Sequence, residues 1–245
     1  MKYAIIGGNF IDSLPIPYRQ EAISTPYGDI AVCRAMLDND PAKEFIFLPR
    51  HGILAQTTDP GEVNYRGNLY ALNKLGVTHI IGVASVGTCD YSYHLGTLCL
   101  LSDFIDFTKS RHSSFLPQHR ISNHTGMEDI FDPALNDAIE RIIAEREIPY
   151  SGRAIYACTE GPRFETAAEI RAFRSLGAQI TGMTLVPEAP LARELGLAYA
   201  AIGVIANCCT GMQSYVTDEG ISEIMNDNRS KVFDICFDLI RRTAE

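Results

Sequence analysis

Short apolar runs that stop abruptly at small or polar residues recur along this chain, and helix-like segments separate them. Lys2 to Ile6 meets Gly7-Gly8-Asn9-Phe10, Phe45 to Leu48 meets Pro49-Arg50-His51-Gly52, and Val77 to Ala84 meets Ser85-Val86-Gly87-Thr88. Ala154 to Cys158 leads into Thr159-Glu160-Gly161-Pro162, another strand-like run closes at Gly182-Met183-Thr184, and Tyr199 to Ala206 delivers Asn207-Cys208-Cys209-Thr210. Ile30 to Leu37 and Leu98 to Leu101 complete the strand set. Unbroken apolar runs of this length suit strands buried on both faces. Between them, 64–75 puts Tyr65, Leu69, Leu72 and Leu75 on one helical face and stops at Gly76. Asp132 can cap a helix that opens with Pro133 and buries Leu135, Ile139, Ile142 and Ile143. Further helices are expected over 166–176 and 187–195, closed by Gly177 and Gly196. A last one begins near Thr217 and buries Ile221, Ile224, Met225, Val232 and Ile235. Strands alternating with helices predict an α/β fold with a mostly parallel sheet. In such sheets ligands sit at the C-terminal ends of strands, where the polar residues are gathered here.

At 245 residues and 46% hydrophobic, the chain suits one domain over 1–245. Its net charge of −9 argues against a nucleic-acid or anionic-membrane partner, so a bound anion must be met by local donors. The seven cysteines are scattered without metal-ligand spacing and read as reduced thiols of a cytoplasmic protein. The N-terminal apolar run is too short for a signal peptide, and no run approaches a membrane span. His112, His119 and His124 fall in an irregular, polar stretch over 111–129, without the spacing of a zinc helix. No metal is expected. Loops of that length are usually functional.

Arg50 and His51, past a strand end, form a candidate anion corner. The arginine offers a planar fork of donors and the histidine one more. The same pair could equally be solvated surface charge. The small residues Ser85 to Thr88 could cradle an anion with successive backbone N–H groups, or could be a plain strand-to-loop turn. Glu165 could be a site carboxylate or the cap of the helix that follows it.

Two stretches carry more information. Cys158-Thr159-Glu160-Gly161-Pro162-Arg163-Phe164-Glu165-Thr166 and Gly182-Met183-Thr184-Leu185-Val186-Pro187-Glu188 together resemble the nucleoside phosphorylase family. Its trimeric members read GP-x-F-E-T and G-M-T-x-x-P-E at these points. The resemblance runs from Tyr3 to about Thr210 and covers six strand ends. It implies a single-domain α/β fold, a mixed twisted sheet flanked by helices, assembled as a homotrimer. It implies an enzyme that uses inorganic phosphate as co-substrate and no other cofactor. Carried onto this sequence, Asn9, Arg50, His51, Ser85 and Thr184 would hold phosphate. Ala84, Val86 and Met183 would lie against ribose, and Phe164 on the purine ring. Glu165 and Asn207 would read the base, with Asn207 and His51 the catalytic side chains, and His124 would reach a neighbouring subunit's pocket near the 5′ end. Where the family usually reads Gly-Gly-Thr/Ser-Gly, this chain has Gly7-Gly8-Asn9-Phe10.

The expected chemistry is attack of phosphate on the anomeric carbon through an oxocarbenium-like transition state. A 6-oxopurine presents a donor at N1 and an acceptor at O6; a 6-aminopurine reverses both. Glu165 accepts from N1–H and would oppose adenine's N1 lone pair, while Asn207 can accept from a protonated N7 and donate to O6. The expectation is therefore a 6-oxopurine nucleoside, methylthioinosine or inosine and guanosine, with methylthioadenosine as the alternative. Within the family the two motifs are most similar to methylthioinosine phosphorylases. Those enclose the 5′ group at the start of the last helix, where this chain has the acidic run Tyr215-Val216-Thr217-Asp218-Glu219, so a 5′-hydroxyl stays open beside a 5′-methylthio group. A phosphate-independent nucleosidase and a non-enzymatic nucleoside-binding protein are the remaining alternatives.

Overall fold

In the computed structural model, which describes residues 1–8, 10–52, 58–115, 124–212 and 217–243, the apolar runs assemble into one mixed sheet. Its strands are β1 (Tyr3–Gly7), β2 (Tyr18–Thr25), β3 (Gly28–Met36), β4 (Glu44–Pro49), β5 (His79–Thr88), β6 (Leu98–Asp106), β7 (Tyr150–Cys158), β8 (Ile180–Gly182) and β9 (Ala198–Cys208). They lie in the order β2-β3-β4-β1-β5-β8-β7-β6-β9, and a further β5–β9 pairing closes the last five into a ring. The sheet is more mixed than expected. β1 runs parallel to β4 and β5, and β5 to β9, but β8 is antiparallel to β5, and β6 to β9.

Strand periodicity sorts the side chains into two layers. Ala4, Ile6, Ile46, Leu48 and Ile80 face one core, under α1 (Tyr65–Lys74) and α4 (Leu185–Glu194). Their alternates Ile5, Phe45, Phe47 and Ile81 face the other, under α2 (Pro133–Glu145) and α5 (Asp218–Thr243). The helix starts follow from the sequence. Asn64 accepts from the Gly67 N–H, Asp132 from the Leu135 N–H with Pro133 in the first turn, and Thr166 opens α3 (Ala167–Ser175) with a capping box to Glu169. That box removes the capping alternative for Glu165: the cap of α3 is Thr166.

Two expectations are corrected. Ser85 to Thr88 do not form a turn; they continue β5, paired to β9 with a bulge between Val86 and Gly87. Pro187 does not open a regular helix, because Val186 and Pro187 are non-helical and regular winding starts after them. The hairpin strand β2 had no counterpart among the expected strands. Among the described residues, no helix is long and apolar enough to cross a membrane.

Candidate active site

Parallel pairing brings the polar strand ends together. Gly7 of β1 lies opposite Pro49 of β4, and the Arg50 N–H donates to the Gly7 carbonyl at 2.8 Å. Gly87 of β5 lies opposite Asn207 of β9. Cys158 of β7 lies opposite Gly182 of β8, and the Thr159 N–H continues that ladder to the Gly182 carbonyl at 2.9 Å. The two sequence motifs are thus neighbours in space. Gly161 takes a φ of +70°, and a Cβ there would fall 2.7 Å from the Met183 sulfur, so both backbone and space call for glycine. Arg111, its side chain 1% exposed, ties both turns down by donating to the carbonyls of Thr159, Glu160 and Val186.

These ends enclose a cavity of about 420 Å³. Arg50, His51, Ala84, Ser85, Phe164, Glu165, Met183, Thr184 and Asn207 all line it. Val86 does not: it is buried in the core cluster, 1% exposed. His124 is exposed and lies outside this chain's cavity. Asn9 lies outside the described residues.

The arginine corner is more heavily built than its sequence suggested. Arg50 and His51 are buried, so the surface-charge alternative falls. The Arg50 fork does not face the cavity as a free pair of donors. Nε and Nη2 donate to the Glu188 carboxylate at 2.8 and 2.9 Å, and Nη1 donates to the Val83 carbonyl at 2.9 Å. Tyr199 donates its hydroxyl proton to the same carboxylate at 2.5 Å. Gly82 makes the room, since a Cβ there would sit 2.2 Å from the Tyr199 oxygen. Burial alone would push the Arg50 pKa down, but facing Glu188 it lies above the ordinary arginine value. Three of the five guanidinium N–H groups are engaged, leaving two for a ligand.

His51 also differs from the expected extra donor. Its Nδ1 lies 2.8 Å from the Thr58 carbonyl, which can only accept, so Nδ1 carries a proton. Burial, and then the Arg50 charge, lower its pKa from 6.5. The neutral ring therefore offers Nε2 as an acceptor. The Thr184 hydroxyl is not spent on capping α4, while its N–H donates to the Tyr156 hydroxyl at 3.2 Å.

At the opposite end Phe164 is half-exposed. Glu165 is buried and accepts a hydrogen bond from the Thr159 hydroxyl at 2.6 Å. The Asn207 amide donates to the neighbouring Cys208 carbonyl at 3.3 Å, leaving its oxygen as the acceptor. α5 contributes Ile221, Ser222 and Met225, which with Phe10 and Ile11 make one wall largely apolar. The sequence had pointed instead to the acidic run Tyr215 to Glu219 before them, of which Tyr215 and Val216 lie outside the described residues.

Glu188, Tyr199 and Thr159 were missed as site residues. Glu188 did leave a signal: it is the one charge in the run Leu185-Val186-Pro187-Glu188-Ala189-Pro190-Leu191-Ala192, and a carboxylate in so apolar a run needs a buried partner.

Comparison with known proteins finds relatives over nearly the whole chain. The family described as "Phosphorylase superfamily" matches residues 3–241. A 6-oxopurine nucleoside phosphorylase of Pyrococcus furiosus is 36% identical over 232 residues, covering 91% of this chain and 86% of that protein. An S-methyl-5′-thioadenosine phosphorylase of the same organism is 36% identical, covering 94% of this chain and 88% of that protein. A probable S-methyl-5′-thioinosine phosphorylase of Methanosarcina acetivorans is also 36% identical, covering 91% and 83%. Among solved structures, a methylthioadenosine phosphorylase sourced from an antarctic soil metagenomic library superposes with a TM-score of 0.89 at 30% identity, covering 99% of this chain and 86% of that one.

Proposed function

The chain belongs to the phosphorylase superfamily, and from that premise we propose that it cleaves 6-oxopurine nucleosides with inorganic phosphate, methylthioinosine foremost. The observation that carries this is one cavity lined both by the donor-bearing Arg50, His51, Ser85 and Thr184 and by Phe164, Glu165 and Asn207, the first set assigned here to a phosphate end and the second to a base end. Phosphate rests on the two spare Arg50 N–H groups and the hydroxyls of Ser85 and Thr184, and the proton of hydrogen phosphate can be accepted by neutral His51. A phosphate oxygen forms the new bond to the anomeric carbon as the C–N bond breaks, and the electron pair leaves with the base. The departing purine anion takes a proton from solvent at N7, where the Asn207 oxygen accepts from it, while Glu165 accepts from N1–H. Because N7 gains its proton only as the bond breaks, the Asn207 contact lowers the barrier more than it tightens ground-state binding, whereas the Glu165 contact is already made in the ground state and serves base selection.

The apolar wall of Phe10, Ile11, Ile221 and Met225 favours a 5′-methylthio group over a hydroxyl. The seven free cysteines, six of them buried, suit a reducing cytoplasm. Exposed His124 fits the notion of a homotrimer in which this loop serves a neighbour's cavity; light scattering showing only monomer at micromolar concentration would remove that element.

The test is a panel in phosphate buffer: methylthioinosine, inosine and methylthioadenosine. Methylthioinosine should give the highest kcat/KM and methylthioadenosine the lowest. Equal turnover of methylthioadenosine would refute the base assignment and leave phosphorolysis standing.

A further inference from the structure

Glu165 stands on the wall between two cavities. Besides the nucleoside cavity it lines a second one, also about 420 Å³, whose other residues include Phe107, Lys109, Thr159, Arg163 and Glu169. Of these two cavities Thr159 lines the second and not the first, so its hydroxyl takes hold of Glu165 from behind the nucleoside site. The contact is short, 2.6 Å from the Thr159 oxygen to Oε1, and Glu165 is only 6% exposed. The helix that follows makes no claim on Glu165, because Thr166 and Glu169 complete its cap. Arg163, the nearer cation in sequence, donates to Glu169 at 2.7 and 2.9 Å. Thr159 therefore supplies the specific hydrogen bond that fixes the Glu165 carboxylate.

We infer that Thr159 is a specificity-setting positioning residue, holding Glu165 as an acceptor aimed at the N1 edge of the base. This rests on the 6-oxopurine reading above. A carboxylate rejects a 6-aminopurine only while its free oxygen is turned to the base edge, where it opposes the N1 lone pair. A carboxylate free to rotate can swing that oxygen away, and the discrimination is lost. The Thr159 hydroxyl, bonded to one carboxylate oxygen, fixes that rotation. With one oxygen pinned by Thr159, the other is left to meet N1–H. The valine isostere keeps the shape and removes the donor; serine keeps the donor.

The experiment measures kcat/KM for methylthioinosine and methylthioadenosine at saturating phosphate in the parent protein, Thr159→Val and Thr159→Ser. Thr159→Val should lower the 6-oxo to 6-amino ratio about tenfold, the lower end of what one hydrogen bond to a charged group is worth. KM for phosphate should not move, and Thr159→Ser should restore the ratio. A valine variant that loses both activities in equal proportion, or keeps the parental ratio, overturns the inference. Should the valine variant not fold, Thr159→Ala is read against the same two outcomes. A parental ratio near one would instead defeat the underlying base assignment, so the two failures are distinguishable.

Discussion

The two ends of the cavity are built on opposite plans. At the phosphate end a buried arginine is gripped by a fully buried carboxylate, itself held by a buried tyrosine, and these three groups come from the turn after β4, from α4 and from β9. At the base end a half-exposed phenylalanine, a carboxylate on one threonine and an amide bonded to its own neighbour do the work, and each partnership spans six residues or fewer. The first end is fixed by long-range packing and the second by local turns. Phosphate is the same for every substrate, so its site can be rigid and shared. On the proposed function, base choice rests on side chains whose replacement should disturb little else. The two ends should therefore fail differently when altered: one in stability and phosphate use, the other in selectivity.

Removing the carboxylate behind the arginine should have the largest effect. Glu188→Ala leaves Arg50 charged and unpaired in the interior, which costs about 3–5 kcal/mol of stability. Denaturant unfolding should read that loss, and the surviving folded enzyme should show a KM for phosphate raised more than its KM for nucleoside. Equal increases in both constants would break the division between the ends. Asn207→Asp should spare stability and raise kcat/KM for methylthioadenosine by roughly tenfold or more, because a carboxylate accepts from both the 6-amino group and a protonated N7. Thr184→Val removes a hydroxyl with no capping duty, and a lost hydrogen bond to a charged ligand raises KM for phosphate about tenfold with base preference unchanged.

Smaller effects sharpen the contrast. Thr166→Ala removes the α3 cap and should cost about 1 kcal/mol by thermal or chemical unfolding, with the 6-oxo preference intact. His51 is held below its ordinary pKa of 6.5, chiefly by burial and next by Arg50, with Glu188 and Asp59 opposing. Its native form thus stays neutral where the unfolded chain already takes up a proton. Stability from this group is full above pH 6.5 and falls as the pH drops toward its native value. His51→Gln should flatten that part of the stability profile, and the acid limb of kcat/KM for phosphate should lie below pH 6.5 in the parent.

The base end was the more legible in sequence, for the same reason that it is the more local. Gly161-Pro162 and Thr166 announce a turn and a cap, and Phe164 and Glu165 sit between them, so their presentation follows from short-range rules. Arg50 and His51 could be recognised as an anion corner, but not the partner that turns the arginine. Glu188 is 138 residues away, and only the folded sheet puts it there. The hairpin strand β2 escaped notice because its Arg19, Gln20 and Glu21 are polar in succession and the strand is largely exposed. Its pairing with β3 carries no core-facing alternation to read. Val86 was assigned by resemblance alone; it lies in the core, while its neighbours Ala84 and Ser85 meet the cavity.

The claim that joins both ends is that phosphate, not water, is the nucleophile. Its direct test is the rate of base release from methylthioinosine as phosphate is titrated up from zero, with the sugar product identified at each point. The rate should rise hyperbolically from no detectable release without phosphate, and every equivalent of base should be matched by methylthioribose 1-phosphate. Base release in phosphate-free buffer at the same rate, yielding free methylthioribose, would contradict it.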